Sequence, residues 1–214
     1  MTRDSRHYSF AEEIANGVLQ GIGVVLSIIG LTVLVAFATL HGGALVIAAS
    51  AVFGAALIML YTVSTVYHAI PRHVAPLFLG RLDHISIYVL IAGTYTPFAL
   101  LALGGTLGWW LFGTIWALAC VGSVLEFVHL KHRRGIAVTL YLIMGWLGVI
   151  SFGPLSAALG SGGTALLLAG GAAYTLGVPF YLWRRLPFHF VLWHAFVLAG
   201  SVLHFFAVLL YVVK

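Results

Sequence analysis

Seven apolar segments, each close to the length of a membrane-spanning helix, limit what this chain can fold into. They cover residues 14–38, 44–68, 82–103, 107–128, 135–155, 163–183 and 189–213. The hydrocarbon core of a bilayer is about 30 Å thick, so a spanning helix needs about 20 mainly apolar residues. The stretches between the segments are short and carry glycine, proline or charge. The sequence therefore predicts an all-α membrane protein, a seven-transmembrane helix bundle that forms one domain over residues 14–214.

The composition excludes a soluble domain. Hydrophobic residues make up 62% of the chain and charged residues 7%, whereas charged residues are about 25% of an ordinary soluble domain. We expect a multi-pass protein of the cell (inner or plasma) membrane, with membrane lipids as its partners. Residues 1–13 are polar and predict a retained N-terminal tail. Cys120 is the single cysteine, so no internal disulfide can form.

The lysine and arginine residues predict which way the bundle faces. Apart from Lys214, they lie in the N-terminal tail or in the connections that follow the second, fourth and sixth segments. The positive-inside rule places such connections in the cytoplasm. We therefore expect the N-terminus inside and the C-terminus outside, and this distribution accounts for the net charge of +5 without a nucleic-acid partner. The residues concerned are Arg3, Arg6, Arg72, Arg81, Lys131, Arg133, Arg134, Arg184 and Arg185.

Polar and ionisable residues of several segments converge on the cytoplasmic end of the predicted bundle. With a rise of about 1.5 Å per residue, Asp83, His68 and His194 lie about 3, 6 and 10 Å inside that edge. Ser64 is four residues before His68, so the two share a helix face. Ionisable groups at membrane depth are costly and usually face the protein interior. We expect one polar layer, which also includes Glu12, Glu13, Asn16 and Glu126.

Histidines and a carboxylate in a confined site suit zinc, which takes nitrogen and oxygen ligands. A histidine in a spanning helix is more often a hydrogen-bonding link between helices, and charges at the membrane edge, such as Glu12 and Glu126, can lie among headgroups. The chain has no H-x-x-x-H or C-x-x-C motif. Spacing alone therefore leaves both a metal site and a structural role open. His204 lies about 15 Å deeper than His194 and cannot join the same cluster.

Five motifs, in order along nearly the whole chain, resemble those of the hemolysin III family, the bacterial branch of the progestin and adiponectin receptor superfamily. They are EEIANG at 12–17, STVYH at 64–68, LDH with AGTYTPF within 82–98, YLIMGW at 141–146 and WHAFVLAGSVLHF at 193–205. The resemblance implies seven helices with the N-terminus in the cytoplasm, in agreement with the charge distribution.

The resemblance also implies a zinc ion near the cytoplasmic face, held by one histidine of the second helix and two of the seventh. In the same pattern, an aspartate of the third helix holds the water molecule that is bound to the zinc ion. His68, with Ser64 in the accompanying S-x-x-x-H, matches the first position, Asp83 matches the aspartate, and His194 matches the second histidine of the seventh helix. These matches make Asp83 and Ser64 candidate catalytic residues.

This chain departs from the family pattern at two places. Phe190 stands where the first histidine of the seventh helix is expected, and His189 is one residue away, in the first turn after Pro187. The third ligand is then His189, which we favour, or His84, or is missing, so that two histidines and Asp83 bind the metal weakly. Relatives also carry Thr-His where this chain has Leu19-Gln20.

Two classes of function fit these observations. The first, to which the resemblance to ceramidase-like adiponectin receptors points, is a zinc-dependent hydrolase of a lipid amide or ester. The alternative is a non-enzymatic membrane protein: a sensor, an ion-coupled transporter that uses His84, His204 or Glu126 for protons, or a membrane-lytic, hemolysin-like protein. A lateral pocket that opens to lipid favours hydrolysis, whereas a continuous polar path favours transport.

Overall fold

A computed structural model describes residues 9–70, 76–128, 134–183 and 185–213, without the side chains of Phe10 and Arg134. Much of the predicted N-terminal tail lies outside these ranges, as do the turn at Pro71-Arg72 and most of the LKHRR connection. The same is true of several cationic residues that predict the orientation: Arg3, Arg6, Arg72, Lys131, Arg133, Arg184 and Lys214.

The described backbone is helical, and it contains no β-strand. Helix α1 covers Phe10–His41, α2 Ala44–Ala69 and α3 Leu77–Pro97, which continues as a π-helical turn at Phe98–Leu103. Helix α4 covers Gly105–Val128 and α5 Arg134–Trp146. A 3-10 turn at Leu147–Ser151 leads into α6, Phe152–Leu182, and α7 covers His189–Tyr211.

Helices α1 and α3 begin four and five residues before the corresponding apolar segments. Helix α1 starts at Phe10 because Ser9 and Glu12 form a capping box, in which each side chain binds the backbone N–H of the other residue. Helix α3 starts at Leu77, after Pro76. The guanidinium carbon of Arg81 lies 5.5 Å from the centre of the Phe127 ring, so its charge is held against an aromatic face of α4 without ending the helix.

Six stretches of the described chain are long and apolar enough to cross a membrane. Five correspond to predicted segments, whereas 135–155 and 163–183 fall within one stretch of 48 residues, Gly135–Leu182. Two irregularities divide that stretch. The Tyr95 hydroxyl donates to the Gly145 carbonyl and accepts from the Gly148 N–H, at 2.8 and 2.7 Å, where α5 gives way to the 3-10 turn. Gly160 has φ of 65° and ψ of −177°, a conformation that favours glycine.

Helix α3 lies at the centre of the bundle. In α3, 67% of the apolar stretch that could cross a membrane is buried. The corresponding share is 28% in both α1 and α4. Small residues allow its neighbours to approach, since a Cβ on Gly93 would meet Ala56 of α2 and one on Gly122 of α4 would meet the Tyr88 ring. The outer faces carry exposed apolar side chains that suit contact with lipid, including Ile22, Val25, Ile29, Trp109, Val121 and Val124.

Candidate functional site

A pair of buried histidines lies where the last turn of α2 meets the start of α7. The ring centres of His68 and His194 are 5.0 Å apart, and the rings meet edge to face at 72°. Each residue is 5% exposed. The structure thus brings together two residues that are 126 positions apart in the chain. Neutral imidazole nitrogens at this spacing are a suitable start for a metal site.

Helix α1 fixes the orientation of one member of this pair. His194 Nδ1 lies 2.9 Å from the side-chain oxygen of Asn16, which is 1% exposed. Because an amide oxygen can only accept, Nδ1 carries the proton and Nε2 carries the lone pair. Zinc-ligating histidines have the same arrangement, in which the second ring nitrogen donates to an outer-sphere acceptor.

A second side-chain contact of α1, this time to α2, lies one turn further along the helix. Gln20 Nε2 donates to Ser64 Oγ at 2.9 Å, and both residues are 2% exposed. Asn16 and Gln20 are four residues apart and share a face of α1, as Ser64 and His68 share a face of α2. Gln20, at the position where the family resemblance implies a histidine, thus makes a hydrogen-bonded contact to Ser64.

Helix α3 contributes Asp83 and His84 from its first turns. Asp83 is half-buried, and Ser86 Oγ donates to its backbone carbonyl at 2.6 Å. His84 Nδ1 donates to Glu126 Oε1 of α4 at 2.7 Å, and the Tyr141 hydroxyl donates to the His84 carbonyl at 3.1 Å. Glu126 is 3% exposed and is therefore buried inside the protein.

The structure places His189 and Phe190 differently around the histidine pair. His189 is fully buried, and its Nδ1 donates to the Phe180 carbonyl of α6 at 3.0 Å. The Phe190 ring centre lies 6.2 Å from that of His68 and 5.8 Å from that of His194. A phenyl ring therefore occupies the side of the pair where the family pattern has a third histidine.

Glu12 ties the start of α1 to the start of α7. Its Oε2 accepts from the Ser9 N–H at 2.8 Å, and its Oε1 accepts from the Phe188 N–H at 2.7 Å. Phe188 has φ of 55°, a left-handed conformation that is uncommon without glycine. Glu12 is 6% exposed. Its hydrogen bond to Phe188 fixes the turn that leads to His189 and Phe190.

A cavity extends from this polar end into the bundle. Its polar end is formed by Gln20, Ser64, Asp83, His84 and His194, and its far end includes Thr94, Tyr174 and His204. The wall between them is mainly apolar and aromatic, with Leu90, Ile91, Leu142, Val178, Trp193 and Val197. The cavity is also lined by Trp146, which is 41% exposed and whose indole N–H donates to Thr175 Oγ1 of α6 at 3.1 Å.

The donor set partly fits a zinc site. No group of three histidine, cysteine or acidic side chains in the described ranges is arranged to hold a metal. Two nitrogen donors, His68 and His194, are in place, one of them with an outer-sphere acceptor. Sequence reasoning placed Asn16 in the polar layer but missed its bond to His194 and that of Gln20 to Ser64; their four-residue spacing on α1 was the available signal.

Fold and site together define a multi-pass helical membrane protein with a histidine-lined cavity at one end of the bundle. The family model described as "Haemolysin-III related" matches residues 8–205. The chain belongs to the hemolysin III family.

Named relatives extend over most of the chain. It is 45% identical to the "Hemolysin-3 homolog" of Bacillus subtilis (strain 168) over 207 residues, which cover 97% of each chain. It is 44% identical to "Hemolysin-3" of Bacillus cereus over 201 residues, 94% of this chain and 92% of the relative. The human "Monocyte to macrophage differentiation factor" is 28% identical over 170 residues, 76% and 70% of the two chains. No solved structure gives a significant match.

Proposed function

We propose that this protein is a zinc-dependent hydrolase of a lipid amide or ester, with its metal at the His68–His194 pair. The observation that carries the proposal is the position of this pair: two buried imidazoles, 5.0 Å apart, at the polar end of a cavity with mainly apolar walls. A lipid could place its acyl chain along the walls and its amide or ester group beside the histidines. Trp146 both lines the cavity and is exposed on the outer face of the bundle, so we propose that lipid enters beside it from the bilayer.

His68 and His194 supply two of the zinc ligands in this proposal, and His189 supplies the third through Nε2. His189 Nδ1 donates to the Phe180 carbonyl, and His194 Nδ1 donates to Asn16. Both histidines therefore have the outer-sphere bond that orients a ligating imidazole. Zinc, when bound, lowers the pKa of a water and polarises a carbonyl.

Asp83 and Ser64 have separate tasks. Asp83, half-buried at the cavity wall, accepts a proton from the attacking water. Ser64 Oγ already accepts from Gln20, so its own hydroxyl hydrogen is left to donate to the substrate carbonyl oxygen. Gln20 sets the direction of this hydroxyl. Gln20, which departs from the family pattern in α1, is therefore part of the proposed site.

The test is hydrolysis of fluorogenic lipid amides and esters by the purified protein in lipid nanodiscs. We expect turnover by the wild type and a loss of about 100-fold or more in kcat for Asp83→Asn, the usual contribution of a positioned general base. Ser64→Ala should also slow the reaction. Ser50→Ala is the matched control, since Ser50 is fully buried in the same helix and does not line the cavity. Unchanged turnover in Asp83→Asn, or none in the wild type on any substrate, would contradict the proposal.

We further propose that the chain crosses the membrane seven times, with the N-terminus in the cytoplasm. At about 1.5 Å per residue, the 48-residue stretch Gly135–Leu182 would be about 72 Å long as one helix, more than twice the hydrocarbon thickness. Gly160 supports a reversal within it. Cβ atoms on Gly162 and Gly163 would both meet Tyr211. The turn at Gly160 therefore packs against the C-terminal end of α7.

A second candidate, ion-coupled transport, has support from the His84–Glu126 ion pair. Glu126 is buried and His84 lines the cavity, an arrangement that suits proton transfer. Proton flux into liposomes that Glu126→Gln abolishes would favour transport over hydrolysis. The names of the two Bacillus relatives suggest lysis, for which release of a trapped dye from the same liposomes is the measure.

A further inference from the structure

Two residues that line the far end of the cavity each have a polar atom without a hydrogen bond to the described protein, and the one on Thr94 is fully buried. Thr94 is 6% exposed and lines the cavity, and its Oγ1 has no partner there. His204 is also 6% exposed, and its Nδ1 donates to the Gly200 carbonyl at 2.8 Å. Its Nε2 therefore carries a lone pair, for which the described residues supply no donor. Buried polar atoms rarely lack partners, so each one calls for an explanation.

The surrounding rings fix this arrangement. The His204 ring stacks on Tyr174 with centres 5.3 Å apart and planes at 15°, and its centre lies 6.2 Å from that of the Phe98 ring with planes at 75°. A Cβ on Gly170 would strike the imidazole, so α6 lies directly against it. Thr94 lies four residues before Phe98, which puts it on the helix face that meets His204.

Neighbouring hydroxyl groups are already engaged and do not satisfy these atoms. The Tyr61 hydroxyl donates to Ser201 Oγ at 2.8 Å, and the Tyr174 hydroxyl lies 3.0 Å from the same atom. Thr96, two residues after Thr94, donates to the Ala92 carbonyl at 2.9 Å. The contrast with Thr96 is informative, because a threonine in a helix commonly binds the carbonyl four residues back.

A hydroxyl group is the ligand that complements this pair of atoms, because it can donate to His204 Nε2 and accept from Thr94 Oγ1. We propose that the far end of the cavity binds the hydroxyl group of a hydroxylated acyl chain. The orientation, with the polar end of the lipid beside His194 and Asp83, rests on the proposed function. His204 follows His194 by ten residues, so the hydroxyl lies about 15 Å along the chain from the polar end.

The lining of the cavity suits an acyl chain. It extends from Asp83 to His204 through mainly apolar and aromatic residues. The mainly apolar wall between the two ends suits methylene groups.

Binding of fatty acids to the purified protein in nanodiscs tests the proposal. The probes are stearic acid and a stearic acid with one hydroxyl in the middle of the chain, and the readout is the dissociation constant. For the wild type we expect the hydroxylated acid to bind about tenfold more tightly, the effect of one buried hydrogen bond. Thr94→Val removes the hydroxyl at constant shape, and His204→Phe keeps an aromatic ring but removes both nitrogens. Both variants should lose the preference and still bind stearic acid.

Thr96→Val is the matched control, because Thr96 does not line the cavity and binds Trp116 of α4 instead. It should keep the tenfold preference. Equal affinities for the two acids in the wild type, or a preference that survives in Thr94→Val and His204→Phe, would overturn the proposal. The measurement needs neither zinc nor turnover. Hydroxyl preference without hydrolysis therefore counts against the proposed reaction alone, and hydrolysis without the preference counts against this subsite alone.

Discussion

At the scale of single residues, the site depends on which nitrogen of each histidine is already engaged. His194 and His189 both use Nδ1 to donate, to Asn16 and to the Phe180 carbonyl, so both keep a lone pair on Nε2. The Phe190 ring lies against the His68–His194 pair, where it adds packing but no ligand. The affinity for zinc therefore depends on whether His189 is the third ligand.

Two substitutions in the first turn of α7 address this question. We expect His189→Ala to weaken zinc binding by more than the 10–100-fold or so that loss of an outer-sphere partner costs, because a ligand itself is lost. Phe190→His should tighten it, since it restores the spacing of the family pattern. Zinc affinity by competition with a chelator is the measurement. Phe196→His, on the same helix with its ring stacked on Phe180, is the control. Full affinity in His189→Ala would exclude His189 as a ligand.

At the scale of helices, the sequence predicted the type of element better than its limits. Apolar length predicted helices at every span, and the predicted cluster residues are on α2, α3 and α7. Helices α1 and α3 begin four and five residues before the apolar segments, because the Ser9–Glu12 capping box starts α1 in polar sequence and the Arg81 charge, held against Phe127, does not end α3.

The 3-10 turn at Leu147–Ser151, between α5 and α6, could not be predicted from local sequence. It arises where the Tyr95 hydroxyl of α3 binds the backbone of Gly145 and Gly148, a contact between residues about 50 positions apart. The same limit applies to the site. Residue spacing placed His68 and His194 at a similar depth, but the Asn16 and Gln20 bonds depend on how α1 packs against α2 and α7.

At the scale of the whole molecule, α1, α2, α3 and α7 bring their polar groups to one end, and the cavity continues toward His204. This asymmetry requires that the polar end lie on a defined side of the membrane. The one-sided lysine and arginine distribution predicts the cytoplasmic side.

Reporter fusions test this orientation together with the number of spans. A reporter fused after Lys214 should be outside, one inserted at Arg133 in the cytoplasm, and one inserted at Gly160 outside, because the chain reverses there. Paired phosphatase and fluorescent-protein fusions, each active on only one side, are the measurement. A cytoplasmic signal after Lys214 would mean an even number of spans and would contradict seven, and a cytoplasmic signal at Gly160 would contradict the reversal there.

The central claim is that His68 and His194 bind one zinc ion, and elemental analysis tests it most directly. The protein would be purified with zinc present, dialysed, and assayed for metal per chain, beside His68→Ala. His41→Ala is the control, because His41 is an exposed histidine at the other end of α1. We predict about one zinc per chain for the wild type and His41→Ala, and less than about one tenth of that for His68→Ala, since a catalytic zinc site has only three protein ligands. A wild type without zinc, or a His68→Ala variant with full zinc, would contradict the account.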